Sequence, residues 1–148
     1  MRNALAALSR RAKAEDWVLV HDAARPCLSA EDRDRLISQA SKNKVGGVLA
    51  SPAVDTLKRA DASGTVEETV DRSGLWRAQT PQMFRYGRLC EALDRAFASK
   101  RFPTDEAQAM EWLGDRPVLV EGSPNNIKIT RAEDLVLASA LLTARSSS

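Results

Sequence analysis

Asp22 and Arg25 stand three positions apart in His21-Asp-Ala-Ala-Arg-Pro26, directly after the apolar run Trp17-Val-Leu-Val20. A carboxylate can hold Mg²⁺ and a guanidinium can hold phosphate through a bidentate fork, so the pair suits a phosphorylated substrate. The same spacing also allows a plainer role, in which Asp22 satisfies loop amides and Arg25 forms a surface ion pair. His21 is the only histidine, so any Ser-His-Asp or Cys-His site would need it, and a lone histidine at a strand end is more often structural. Lys128 lies between Ile127 and Ile129 in a segment with strand character. Its side chain is expected to face opposite to both isoleucines, where it either anchors a phosphate or snorkels to solvent. Thr104-Asp-Glu106 has the composition of an ordinary helix start. The alternating charges of Asp55-Thr-Leu-Lys-Arg59 and Val70-Asp-Arg72 suit solvated, edge-protecting strands. None of the seven glycines falls in a GxGxxG or GxxxxGK[ST] pattern, so no cradle for a nucleoside triphosphate is recognisable.

The elements that must position these residues follow from periodicity and capping. Asn3 to Lys13 has helical spacing, and Trp17 to Val20 is a short buried strand. Ser29 with Asp32 begins a helix that ends before Gly46-Gly47, and Val45 to Ser51 is a second strand. Val54–Arg59 and Thr65–Asp71 are extended arms around the turn Asp61-Ala-Ser-Gly64, a polar hairpin. Tyr86 to Lys100 forms a helix, and Thr104 caps another that runs to Gly114. Pro117 to Val120 is a strand and Asn126 to Ile129 another. Thr130 with Glu133 caps a closing helix through Leu142, and Ser146 to Ser148 is expected to fray. Strands separated by helices of this length predict an α/β fold with a mostly parallel sheet, helices on both faces and the hairpin projecting from it. Ligands of such sheets gather at the carboxyl ends of the strands, where the His21–Pro26 loop lies.

Composition narrows the class further. The chain has 148 residues, 43% hydrophobic and 28% charged, with a formal net charge of +2. A single domain of this length buries roughly 70% of its extended surface without disulfides or a structural metal. No apolar stretch approaches the ~20 residues that cross a bilayer, and no signal-peptide pattern opens the sequence, so a cytoplasmic location is expected, with no membrane partner. Cys27 and Cys90 fit no CxxC pattern and are expected as free thiols. Near-neutral charge and 5% aromatic residues disfavour a nucleic-acid surface and favour small-molecule partners.

Six segments, taken in order, closely resemble one family: Val18-Leu-Val-His-Asp-Ala-Ala-Arg-Pro26, Asp55-Thr-Leu-Lys-Arg59, Val70-Asp-Arg-Ser-Gly-Leu-Trp76, Gln79-Thr-Pro-Gln82, Thr104-Asp-Glu-Ala107 and Asn126-Ile-Lys-Ile-Thr130. It is the family of 2-C-methyl-D-erythritol 4-phosphate cytidylyltransferases. The resemblance implies a Rossmann-like nucleotidyltransferase fold. It also implies transfer of a cytidylyl group from CTP to methylerythritol phosphate with release of pyrophosphate, in the non-mevalonate route to isoprenoids, using Mg²⁺ and a homodimer. Carried onto this sequence, it makes Asp22 and Lys128 the catalytic residues, with Asp22 also the metal ligand and Ala23 at the cofactor-binding position. Arg25, Thr80 and Thr104 line the same pocket. Residues 52–75 become a dimerisation arm, from which Thr56 and Arg72 bind the acceptor in the partner's site.

Against the family pattern, the first strands and a glycine-rich loop with its cations are expected to be missing from residues 1–148. The implied domain is therefore partial, and the chain is expected to be inactive alone. A ribitol phosphate cytidylyltransferase shares the fold and much of the loop chemistry, and a non-catalytic dimerisation module would keep the scaffold without nucleotide chemistry. Asp22-Ala-Ala-Arg25 and Arg72-Ser-Gly-Leu-Trp76 lean toward the methylerythritol enzyme.

Overall fold

The computed structural model describes residues 1–146, and within them the chain forms five helices and six strands. In chain order these are α1 (Arg2–Leu8), β1 (Trp17–Val20), α2 (Ala30–Ala40), β2 (Gly46–Pro52), β3 (Leu57–Ala60), β4 (Val66–Val70), β5 (Trp76–Arg85), α3 (Tyr86–Ala98), α4 (Glu106–Trp112), β6 (Val118–Glu121) and α5 (Ala132–Ser146). Four strands make one sheet in the order β1-β5-β2-β6, and β3 pairs with β4 alone. Strands β2 and β6 are parallel, and β5 runs antiparallel to both β1 and β2. Three strands therefore point one way and the sheet is mixed, because β5, which has no clean strand signature in the sequence, returns between them.

Pro81 hides β5. A proline removes a ladder donor and is confined to edges or bulges. Here Val48 pairs with Gln82 and Ala50 with Ala78, so two steps along β2 oppose four along β5. The extra residues, Gln79 to Pro81, leave the ladder as a bulge in an otherwise central strand, where a missing N–H breaks no ladder bond.

Alternation along the strands divides the core between two faces. Val20, Val48 and Phe84 pack on one side with Leu5 of α1, Leu89 and Leu93 of α3 and Met110 of α4. Leu49, Met83 and Val120 pack on the other with Leu36 and Ala40 of α2. Gly47 lies under α2, where an added Cβ would come within 2.9 Å of the Ala40 methyl, so the helix rests directly on strand backbone. Arg85 covers the Trp17 ring at 3.6 Å across the β1–β5 pair. Strand β1 is an edge strand, and Leu135, Val136 and Leu137 of α5 are exposed.

Several expected boundaries change. Helix α1 stops at Leu8, well before Lys13, and a turn follows. The α2 cap is as read, with Asp32 N–H donating to Ser29 Oγ at 3.0 Å. The cap of α4 is Asp105, whose carboxylate accepts from Gln108 N–H, whereas Thr104 N–H bonds the Gln108 side chain. A carboxylate carries charge toward the helix N-terminus and outcompetes the neighbouring hydroxyl. Before α5, it is Asp134 rather than Glu133 that reaches back, accepting from Thr130 N–H, Thr130 Oγ1 and Arg131 N–H. Residues 126–129 form a loop, not a strand. Ser146 ends α5, and Ser147 and Ser148 lie outside the described residues. Cys27 is buried and Cys90 partly so, and both are free thiols.

Gly46 and Gly64 both have positive φ, at 127° and 83°. A Cβ at Gly46 would strike the Met83 carbonyl oxygen, whereas at Gly64, in the hairpin turn, it would meet nothing within 4 Å. Denaturant unfolding should therefore place Gly46→Ala more than ~3 kcal/mol below wild type, because strain and overlap add. Gly64→Ala should cost no more than ~2 kcal/mol, the conformational part alone.

Candidate functional site

The carboxyl ends of β1, β2 and β6 and the start of β5 share one edge of the sheet, and the loops leaving it carry the residues singled out by type. Their backbone polar groups lie beyond the ladder, so side chains must satisfy them. Asn126, 1% exposed, donates from Nδ2 to the Thr80 carbonyl at 2.8 Å and to Gln79 Oε1 at 3.3 Å. Gln79 in turn donates to the Ser123 carbonyl at 3.0 Å. Asp32 of α2, also buried, accepts from Ser123 N–H and from Arg35, which itself donates to the Glu121 carbonyl. These bonds lock the loop after β6 to the β5 bulge on one side and to α2 on the other.

Arg25 crosses the edge, donating to the Asn126 carbonyl at 2.6 Å and the Ala78 carbonyl at 3.4 Å. Its surface-pair reading does not hold: partial burial pushes the guanidinium below its ordinary pKa, and the charge of Asp22 raises it in part. Ile129 N–H donates to the Ala24 carbonyl at 2.8 Å, which holds the loop carrying Lys128 against the loop after β1. Lys128 Nζ lies 2.7 Å from Asp22 Oδ2, both side chains being partly exposed. Lys128 thus reaches the site from a loop, not by strand alternation.

His21, Asp22, Arg25, Thr80, Thr104 and Lys128 border a cavity of about 360 Å³. A second cavity of about 270 Å³ shares Arg25 and Lys128 and adds Ser51 and Arg77. Ser51 is 4% exposed, and its hydroxyl has no partner. Of the residues expected at the site, five are brought together: Asp22, Arg25, Thr80, Thr104 and Lys128. Ala23 is exposed and borders neither cavity. Thr56 and Arg72, both exposed beside the hairpin strands, also stand away from this chain's own cavities.

Other contributors lie inside segments that resemble the family, but their roles do not follow from spacing. Gln82, 1% exposed, bridges β5 to α4 by donating to Asp105 and accepting from Ala107 N–H. Glu106 borders the larger cavity. No sequence pattern reveals either role, because each depends on a partner more than twenty positions away or on burial.

Among the described residues, no group of three or more His, Cys, Asp or Glu is arranged to hold a metal ion. Asp22 offers a single carboxylate beside two cations. That donor set fits Mg²⁺ held through one carboxylate and the oxygens of a phosphorylated ligand, the usual division of labour for this ion.

Burial, followed by the negative charges of Asp105 and Asp22, pushes the Glu106 carboxyl above its ordinary pKa. A carboxyl raised in the folded state contributes stability while protonated, and loses that contribution as pH rises through the folded value. Glu106→Gln should therefore raise Tm at pH 7.5 and leave it nearly unchanged at pH 4, as read by thermal melts at the two pH values.

Residues 1–144 match the family described as 2-C-methyl-D-erythritol 4-phosphate cytidylyltransferase, IspD. The chain is 58% identical over 134 residues to the protein of that description from Pseudomonas putida W619, covering 90% of this chain and 57% of that relative. It is 52% identical over 136 residues to the one from Vibrio vulnificus YJ016, again covering 57% of the relative. The crystal structure of the Francisella tularensis cytidylyltransferase superposes with a TM-score of 0.85 at 40% identity, covering 95% of this chain and 65% of that one. The chain thus spans somewhat more than half the length of the curated relatives it matches. Fold, profile and identity agree: this chain belongs to the 2-C-methyl-D-erythritol 4-phosphate cytidylyltransferase family.

Proposed function

We propose that these residues form the acceptor side of a cytidylyltransferase site that joins CMP from CTP to 2-C-methyl-D-erythritol 4-phosphate and releases pyrophosphate. The observation that carries this reading is the convergence of Asp22, Arg25, Thr80 and Lys128 on one cavity at the sheet's carboxyl edge. In the reaction, an oxygen of the acceptor's phosphate forms a bond to the α-phosphorus of CTP. The bond from that phosphorus to the bridging oxygen breaks, and pyrophosphate leaves with the electron pair. The second pKa of a phosphate monoester is about 6, so the nucleophile is already ionised at neutral pH and no general base is required.

Arg25 and Lys128 neutralise charge that builds on the phosphorus oxygens, and their fixed placement costs no reorganisation during the step. Held by Asp22 and phosphate oxygens, Mg²⁺ would supply further charge neutralisation. Lys128, paired to Asp22 at 2.7 Å, can turn to an incoming anion, and Asp22 would then be free to hold the cation. Thr104 borders the cavity at the α4 end, and the resemblance alone assigns Ala23, which lies outside both cavities, to the nucleotide.

We also propose that residues 52–75 are a dimerisation arm, with Thr56 and Arg72 serving the partner's acceptor site, and that the enzyme is cytoplasmic. The exposure of both residues and their distance from this chain's own cavities support the crossed arrangement. So does the hairpin's scant burial, since a two-stranded unit is marginal alone. The open edge of β1 and the exposed apolar residues of α5 support a nucleotide-binding half formed by strands other than these.

Two assays follow. The purified 148-residue chain should release no pyrophosphate from CTP above background, because in-line transfer needs both reactants held. Joined to the N-terminal portion of a relative, it should become active with methylerythritol phosphate and prefer it to ribitol phosphate; absence of activity in that chimaera would sink the functional reading. In the chimaera, Asp22→Asn and Arg72→Ala dimers should each be nearly inactive. Mixing them should restore about half of the wild-type activity per heterodimer, because one of the two sites then pairs intact Asp22 with intact Arg72. No rescue after verified subunit exchange would remove the crossed arm.

A further inference from the structure

We infer that His21 is a positioning residue that fixes the polarity of the Thr80 hydroxyl, making it a hydrogen-bond acceptor toward the cavity and so a reader of ligand hydroxyl groups rather than of phosphate oxygens. The identity of that ligand rests on the function proposed above; the hydrogen-bond assignment does not.

The assignment follows from counting protons. His21 Nε2 lies 3.0 Å from the Arg25 carbonyl oxygen. A carbonyl can only accept, so Nε2 carries the proton, and in the neutral ring Nδ1 is then the acceptor. Nδ1 lies 3.0 Å from Thr80 Oγ1, which must therefore donate its only proton to the imidazole. Asp22 N–H, at 3.0 Å from the same oxygen, takes one of its two lone pairs. What remains of the Thr80 hydroxyl is a single lone pair, on a residue that borders the same cavity as Asp22 and Lys128.

A free threonine hydroxyl rotates to suit either a donor or an acceptor. This one cannot turn without breaking its bond to His21. A ligand hydroxyl can donate to it, whereas an ionised phosphate oxygen would face it lone pair to lone pair. Thr80 would thus bind the polyol body of the acceptor and leave its phosphate to the cations. The Arg25 carbonyl that sets the tautomer belongs to the residue whose guanidinium crosses the same edge, so the loop after β1 fixes both the anion site and the hydroxyl reader.

His21 is the only histidine, so ¹⁵N-histidine labelling of the 148-residue chain gives one imidazole to read. At pH 8, Nε2 should show a protonated-type ¹⁵N shift and Nδ1 an unprotonated, hydrogen-bonded one. In Thr80→Val the tautomer should persist while the Nδ1 signal moves toward its non-bonded position. A protonated Nδ1, or an Nδ1 signal indifferent to Thr80→Val, would overturn the assignment.

In the chimaera, His21→Leu should raise KM for methylerythritol phosphate about tenfold, the worth of one ordinary hydrogen bond, and move KM for CTP less than about twofold. His21→Asn, whose Oδ1 can take the place of Nδ1, should restore most of the loss. An equal rise in both KM values, or no rescue by asparagine, would reduce His21 to a strut between the two loops and overturn the proposal. If the wild-type chimaera ignores methylerythritol phosphate although the imidazole shifts are as stated, the functional reading fails and the proton assignment stands.

Discussion

The site depends on one buried amide. Asn126 ties the loop after β6 to the bulge in β5, and its own carbonyl receives the Arg25 guanidinium that reaches across from the loop after β1. The loops after β1 and β6 and the β5 bulge are thereby referenced to a single residue, 1% exposed, through its side chain and its backbone carbonyl. Losing one partner in such a place costs about 1–3 kcal/mol, which holds the bonds that are made, while Arg25 Nε and Asn126 Oδ1 stay buried without a partner. Arg25 serves this network and the cavity together. Part of its hydrogen-bonding capacity is committed to backbone carbonyls, which fixes where the remaining charge sits.

Around that fixed edge the molecule separates two kinds of surface. The four-stranded sheet, covered by α2 on one face and by α1, α3 and α4 on the other, supplies rigidity. The β3–β4 hairpin has little burial, and its side-chain bonds are cross-strand and exposed, such as Lys58 to Thr69 and Arg59 to Glu68. Exposed pairs of this kind contribute little stability. The arm is therefore shaped mainly by its backbone ladder, as suits a segment whose final environment is another surface.

Much of this was legible in the sequence, and the exceptions have physical reasons. Trp17–Val20 was clear because a short apolar run between polar loops admits few other fates, and the hairpin because its turn chemistry lies between two alternating arms. Asp22, Arg25, Thr80, Thr104 and Lys128 were found together only because the order of several weak motifs resembled a family; by spacing alone each had a bland reading. The missed strand β5 contains a proline that the bulge makes harmless, a compensation provided by the partner strand and invisible locally. The strand alternation expected at Lys128 is absent, since it lies in a loop, and its side chain reaches Asp22 because Asn126 and Ile129 hold that loop at the sheet edge. The roles of Gln82, Asn126 and Glu106 come from burial and from partners distant in the chain, which periodicity does not report.

The bulge in β5 has a mechanical consequence. Gln79 to Pro81 span a gap whose two abutments are ladder-bonded: Trp76–Ala78 to β2 on one side, and Gln82–Phe84 to both β1 and β2 on the other. A span held at both ends neither slides nor swings, so Thr80 behaves as the stiff wall of the cavity. The wall carrying Lys128 is tied to the same bulge through Asn126 and to the loop after β1 through Ile129, so its backbone is held as well and the half-exposed lysine side chain is the part that can swing. A ligand of different girth is therefore met by a swing of the lysine side chain, while the Thr80 hydroxyl keeps its distance from the sheet.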